Sequence, residues 1–554
     1  MVAADKHKRA FAAQRSRRAS VLRVRMVLPE FLPPGPAWSR GALAVVCCFA
    51  IARATAATTD WVRVGPDGRL AYKADARGNT IPDFSRAGYR GGGVALPDMP
   101  VVIKLAPQPS GDDGARIQAA LDDVGGRAAD ARGFRGAVLL QRGTYHVGGN
   151  LAIRASGVVL RGEGSGEDGT LMLATGQKQR TLIEVGARAS RRETPGSRRR
   201  VTDAYVPWSA KSFSVESVDG LKVGDRIIVH RPSTAAWIHE LGMDRIKNRP
   251  GAKAGETKQW TAGGFDLHLE RTIVAIEGMR LTLDAPVMNA LDAKFGGAAV
   301  YRFTLARATE CGVENLRLVS EYEKGRETSD EAHAWIGVAL GAVENAWVRQ
   351  VAVVHFSHAV QADGASIFVT VQDCAHLDPV SQITGGRRYS FSLNGQYGLA
   401  VRCHARGARH TFVTGSRVCG PNVFLDGTAV QSHADSGPHH RWAVGTLYDN
   451  ISDDNQLRVQ DRQWAGSGHG WAGAQQVLWN CTSRTIVVQQ PPTAQNYAIG
   501  CVGQFAAGEW SPQAPRGVIA SAGAPVEPRS LYLAQLAARL GPAAVKQVSG
   551  EPVK

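Results

Sequence analysis

The feature that most restricts this chain is a recurrence in its C-terminal half. Leu316, Val351, Cys374, Cys403, Val423, Ile451, Cys481 and Cys501 close the tripeptides "ENL", "RQV", "QDC", "VRC", "PNV", "DNI", "WNC" and "IGC", at steps of 35, 23, 29, 20, 28, 30 and 20 residues. An apolar or cysteine position returning at such steps is what a stacked solenoid needs, because each coil buries its inward side only against its neighbours. Loops of unequal length change the step without disturbing the stack. Coils this long fit three sides, with rungs about 4.8 Å apart. The 62 glycines and 7% aromatic content among 554 residues agree with a β-rich, turn-rich architecture rather than a bundle.

The N-terminal half carries a second signal. "GDDGARIQAALDDVGG" starts at Gly111 and places Ile117, Ala120, Leu121 and Val124 at helical spacing, a short helix with one apolar face. From Gly136, "GAVLLQRGTYHVGGNLAIRASGVVLRGEGSGEDGTLML" alternates short β-rich runs with glycine turns. Asp112, Asp113, Ile117, Gln118, Ala119, Ala120 and Asp122, then Gly143 and Tyr145, then Leu160, Gly162 and Gly164 carry the pattern "DD-x-x-x-IQ-A-A-x-D", "G-x-Y", "L-x-G-x-G". In this the chain resembles the start of the pectate-lyase-like right-handed parallel β-helix superfamily. The resemblance implies an all-β solenoid with an N-terminal capping helix, in a superfamily whose members mostly cut or bind polysaccharides and whose lyases often use Ca2+. "GEGSG" at Gly162 lacks the spacing, the following helix and the partner acid of a phosphate-cradling loop, and reads as a turn.

The boundaries follow from these patterns. Residues 1–56 read as an export segment: nine basic residues ahead of the apolar "ALAVVCCFAI", too short to span a bilayer, then Arg53 and "ATA" ending at Ala56. A glycine-rich arm covers 57–110 and the first coils cover 111–200. Residues 201–303, with hairpin glycines, read as an inserted β-rich segment. Main coils run over 304–524 and a C-terminal cap and tail over 525–554. The cap rests on "SLYLAQLAARLG", with Ser530 as its N-terminal capping residue, placed over the last coil. Within the insert, Trp237, His239, Arg245 and Trp260 either wall a sugar site or pack together. The run "SRRETPGSRRR" from Ser190 reads as a solvated loop.

Without residues 1–56 the net charge falls from +16 to +8, from 55 basic and 47 acidic residues. That field suits an anionic ligand. No nucleic-acid-binding motif is present. The six remaining cysteines have no CxxC spacing, which disfavours zinc clusters. Cys374 with Cys403, and Cys481 with Cys501, fall on adjacent rungs as disulfides or as a buried thiol ladder; the ladder is the preferred reading.

Counting back from the inward positions locates a candidate site. Tyr389, His410, His439 and His469 lie 14, 13, 12 and 12 residues before Cys403, Val423, Ile451 and Cys481, so four successive coils bring them to one edge. Arg388, Arg409, His440, Arg441 and Trp471 flank them. This composition suits β-elimination on a uronate, which needs a base for the C5 proton, positive charge on the carboxylate and an acid for the leaving oxygen. His439 or His440 is the candidate base and Tyr389 or His410 the acid partner. Arg388, Arg409 and Arg441 are assigned to carboxylates, with His469 and Trp471 also contacting substrate. Stacked histidines can instead satisfy backbone carbonyls, and three of them can hold a transition metal, though no helical H-x-x-x-H or paired carboxylate fixes a geometry.

A second set, Arg406, Asp426, Asp454 and Arg484, lies three residues beyond the inward positions. With Asp453 or Asp435 it offers paired carboxyls for glycoside hydrolysis, but alternating Arg and Asp is also what a solvent-facing ion-pair ladder looks like. His355, His358, His376 and Asp378 extend the groove, and Trp442, Trp464 and Tyr497 stack on sugars or pack edges. The expectation is a secreted or periplasmic polysaccharide lyase acting on an acidic polysaccharide, with no membrane span in the mature chain. The alternatives are a glycoside hydrolase and a non-catalytic carbohydrate-binding solenoid. No metal ligands or cofactor are assigned from the residues, and no acidic loop shows a cation pattern that would support calcium.

Overall fold

Short parallel strands, each hydrogen-bonded to the equivalent strand one coil away, run in three ladders from Val101–Leu105 to Val518–Ala520. The computed structural model describes residues 57–253 and 255–550; the export segment assigned to 1–56 lies outside them. In the first ladder Val371, Ala400, Phe424, Tyr448, Leu478, Ala498 and Ile519 stand in register. In the second, Val353, His376, Ala405 and Ala429 do so, and in the third Val338, Val360, Phe391 and Phe412. The fold is a parallel β-helix. Among the described residues no helix is long and apolar enough to cross a membrane.

The interior column is the predicted one at seven positions of eight. The strand registers align Leu316, Val351, Cys374, Cys403, Ile451, Cys481 and Cys501, all buried. Between Cys403 and Ile451, however, the column passes through Gly427 and not Val423, because Val423 pairs with Leu399 in the first ladder. All six described cysteines are free and buried. Their thiols donate to carbonyls of the same or the adjacent coil, as Cys481 Sγ does to Tyr448 O at 3.1 Å, so the thiol ladder holds.

The capping helix spans Gly114–Gly126 and buries Ile117, Ala120, Leu121 and Val124. Its two aspartates fix it to the first coil. Asp112 accepts from Gly114 N at 2.6 Å and Gly148 N at 2.8 Å, while Asp113 takes His146 N at 3.2 Å. Tyr145, fully buried, donates to Leu105 O at 2.6 Å.

The insert is an antiparallel sheet built on Arg226–Arg231, Leu267–Glu277 and Ala299–Thr304. It begins earlier than expected: Arg192–Glu193 and Arg199–Arg200 pair with Ala299–Thr304, so the arginine-rich run forms exposed edge strands instead of a loop. Its apolar face, including Ile227, Val229, Leu269 and Val300, packs with Leu399, Val423 and Leu447 of the first ladder as a second core. The first ladder is therefore buried on both faces, and Cys419–Leu425 and Ala443–Asp449 show no exposed position at all.

The C-terminal helix Leu531–Leu540 has Ser530 Oγ accepting from Leu533 N, as its sequence predicts. It does not lie over the last coil. Leu531, Tyr532 and Leu536 join the second core, Tyr532 Oη donates to Ala87 O at 2.8 Å and Gln535 meets Phe84 N at 2.8 Å, so the helix lies alongside the N-terminal arm. Ala57 and Thr58 pair with Val526 and Glu527, joining the two ends of the described chain.

Candidate active site on the third ladder

His358, Tyr389 and His410 open three successive strands of the third ladder and are register partners. His358 and Tyr389 stack at 5.6 Å, and Tyr389 and His410 meet edge-on at 4.9 Å. Of the predicted column, Tyr389 and His410 are in register, and His358, expected to extend the groove, joins them one coil earlier. The upper half assembles differently. Thr414 pairs with Pro438, so His439 sits in the turn after Asp435–Pro438, out of rung register with His410. Its ring nevertheless reaches back to lie 4.7 Å from His410, 5.4 Å from Tyr389 and 5.1 Å from His469. His440 lies 5.0 Å from His469, completing a six-ring cluster.

One buried residue that the sequence reading passed over organises this cluster. Arg462, 5% exposed, sends Nη1 to Asp435 Oδ2 at 3.4 Å and to His439 Nδ1 at 3.2 Å, and its guanidinium covers the Trp510 ring at 4.9 Å. A guanidinium only donates. His439 Nδ1 is therefore an acceptor, the proton of its neutral ring sits on Nε2, and Nε2 donates to Tyr389 Oη at 3.0 Å. That leaves the phenol proton free to point at a ligand. With both nitrogens engaged, His439 is poorly placed as the base; His440 and His469 each keep a buried Nδ1 without a partner.

Burial and neighbouring guanidinium groups keep the imidazoles neutral. His439 is held well below its ordinary value by burial and Arg462. His440 is lowered to about 4 by burial and Arg441, and His469 to about 3 by burial and Arg462. Burial pushes the Tyr389 phenol up against the opposing charges of Arg409 and Arg462, so it stays protonated at neutral pH. Burial also acts to raise the Asp435 carboxyl, but Arg462 and His410 outweigh it and hold the group ionised.

Three expected contacts change. Arg388 is 4% exposed and gives its guanidinium to the carbonyls of Ser381 and Glu327, each at 2.8 Å, so it braces a loop instead of facing a carboxylate. Trp471, 4% exposed, donates to Leu241 O at 3.2 Å within the second core and presents no face to a sugar. His410, 1% exposed, bonds Asp435 O at 2.7 Å and supports the cluster from beneath. Arg409 and Arg441 remain half-buried beside the rings. In the insert Trp237 and Trp260 pack in the second core, with Trp237 against Trp442 at 5.0 Å. His376 is interior, bonded to Ser390 Oγ and Phe356 O.

The carboxylates weighed for hydrolysis serve the framework. Asp426 pairs with Arg529 at 2.7 Å, Asp454 accepts from Ser432 N at 3.0 Å, and Asp453, 2% exposed, takes Ser436 Oγ at 2.7 Å. Arg406 pairs with Asp378 at 2.6 Å on the neighbouring rung, as an ion-pair ladder would. Among the described residues the one group with three potential metal-ligating atoms within 4.8 Å of one another is His230, Asp266 and His268 in the insert. Its atoms are tied up internally: Asp266 to His230 at 2.8 Å and Ser233, His268 to Tyr301 at 3.0 Å, and His230 Nδ1 to Arg198 at 3.1 Å.

No protein-family model matches the chain, and no curated protein does. Among solved structures it is similar to the tailspike protein gp49 from Pseudomonas phage LKA1, at 14% identity and TM-score 0.43, covering 72% of this chain and 57% of that one. It is similar also to the tailspike protein of E. coli bacteriophage HK620 in complex with pentasaccharide, at 10% identity and TM-score 0.39, covering 78% of this chain and 56% of that one. A third is the A-module of the Azotobacter vinelandii mannuronan C-5 epimerase AlgE6, at 11% identity and TM-score 0.34, covering 72% of this chain and 84% of that one. The chain thus spans little more than half the length of either tailspike. The fold rests on the three ladders themselves.

Proposed function

We propose that the protein is a polysaccharide lyase, secreted or periplasmic, that cleaves a uronate-containing polymer by β-elimination. The observation that carries this reading is the chain Arg462–His439–Tyr389, which supports a phenol with a free proton beside the neutral imidazoles of His440 and His469. In this scheme His440 takes the proton from C5 of the uronate. The C–H electron pair becomes the C4–C5 double bond, the C4–O bond breaks, and the departing oxygen takes the proton of Tyr389 Oη. His440 ends as imidazolium and Tyr389 as phenolate, and solvent returns both to their starting states. Arg409 and Arg441 meet the charge that grows on the carboxylate, where fixed donors are worth most because they need no reorganisation. His439 and Arg462 position the phenol.

The test follows the unsaturated product by ultraviolet absorbance on a panel of acidic polysaccharides. Tyr389→Phe and His440→Gln are expected to lower the rate by roughly 10²–10⁴-fold, the usual weight of a general acid or base, with unchanged circular dichroism. Reducing ends released without absorbance, binding without cleavage, or wild-type rates in both variants would each overturn the scheme.

A further inference from the structure

The insert and the solenoid flank a small, half-open cavity that the elimination scheme touches only through Arg441. It measures about 130 Å³ and is lined by Lys258, Gln259, Trp260, Gly264 and Phe265 from the insert and by Ser416, Arg417 and Arg441 from the solenoid. That is room for a carboxylate or a sulfate together with several waters. Three cations line it, and no acid does.

The two arginines are held without acidic partners at the wall. Arg417 donates to Gly264 O at 2.7 Å and Ser416 Oγ at 3.2 Å, and Arg441 to Ser467 Oγ at 2.7 Å. They are close enough that Arg417 helps lower the pKa of Arg441, second only to burial. Like charges gathered in a cleft with no counter-charge raise the local concentration of anions and favour binding one. The cavity also adjoins the ring cluster. Arg441 follows His440 in the chain, its N–H donates to His469 O at 3.2 Å, and Gly415, next to Ser416, lies against His440. Beneath the charges, Trp260 and Phe265 stack at 4.4 Å and give the cleft an apolar floor.

We infer that this cavity is an anion subsite that holds an acidic substituent, a carboxylate or a sulfate, of a sugar adjoining the one at Tyr389 and His440. Lys258 and Arg417 are then specificity-determining residues, and the insert forms part of the substrate site. The inference rests on the proposed reading in taking the ligand as a polysaccharide, but its test is binding, not turnover. Calorimetric titration of the full chain carrying His440→Gln, which slows cleavage enough for binding to be read, uses galacturonate and mannuronate hexamers, a sulfated oligosaccharide and neutral maltohexaose. Arg417→Gln and Lys258→Gln are added singly. Both side chains are exposed, and glutamine keeps a donor while removing the charge. At least one acidic oligosaccharide is expected to bind, at least ten-fold more weakly in each added variant and more weakly at high salt, while maltohexaose does not. The acidic oligosaccharide that binds distinguishes carboxylate from sulfate. Unchanged affinity in both added variants, or no binding of any acidic oligosaccharide, overturns the subsite. Intact binding with no ultraviolet-absorbing product in the parent removes the elimination scheme and leaves the subsite standing.

Discussion

His358 and His469 are lowered to about 3, and His410 and His440 to about 4, from an ordinary 6.5, chiefly by burial. On unfolding each regains its ordinary value and takes up a proton anywhere between those limits. The unfolded state therefore binds more protons in that window, so stability is full above pH 6.5 and falls as the pH drops toward 4. His410 alone is worth on the order of 3 kcal/mol across it. Asp449, raised to about 7, Asp453, raised to about 6, and Asp461, raised by burial, act with opposite sign, but His268 and His376, also lowered to about 4, add to the histidine side. Urea midpoints measured from pH 7 to 4 are expected to fall steadily, and His410→Gln should flatten the slope. A pH-independent midpoint would contradict the buried, neutral state of these rings. Trp471 gives a second residue-scale expectation. Because it packs in the core, Trp471→Ala should cost about 3–5 kcal/mol in denaturant unfolding, and any effect on sugar affinity should only follow that loss.

At the scale of the element, Gly427 shows how strictly a coil is specified. It occupies the column shared by Cys403 and Ile451, and a Cβ there would lie 2.4 Å from Phe412 Cζ. The Phe412 ring fills the space a side chain would take on this rung. Gly427→Ala is expected to lower stability by about 1–3 kcal/mol by overpacking, and Phe412→Leu in the same chain should recover part of it; additive losses in the double variant would refute the steric account. The same rung explains why the sequence pattern points to Val423 rather than Gly427. Alternation marks the inward residue only where the other face meets water, and Cys419–Leu425 is buried on both. Where alternation survives, as at Cys374 and Cys403, the register is legible from sequence. The capping helix was equally legible, since Ile117, Ala120, Leu121 and Val124 show one apolar face. His439 reached the predicted cluster through a turn, not through register, and Arg462 entered from a loop whose contact with the rings no spacing encodes. Arg417 and Lys258 line one cavity from segments far apart in sequence, so no local pattern brings them together.

For the whole molecule, the sharing of one sheet between two cores has a thermodynamic consequence. Phe424 and Tyr448 point into the solenoid while Val423 and Leu447 point into the insert, so neither core can dissolve without stripping the same strands. The arm and C-terminal helix bind to that second core through Tyr532 and Gln535. A solenoid of independent repeats can unfold by fraying from one end, but here the insert and the C-terminal helix span many rungs and couple them. Trp237 and Trp260 of the insert lie near Trp442 of the solenoid, so tryptophan fluorescence includes a signal from the junction, while far-ultraviolet circular dichroism reports the strands. The two signals are expected to change together in one thermal transition. Truncation after Arg529, which removes Leu531, Tyr532 and Leu536 from the second core, should lower that transition and shift both signals equally. If fluorescence instead changed well before the β-sheet signal, the insert would be a separately folding module, and a substrate site assembled across its junction with the solenoid would lose its rigid wall.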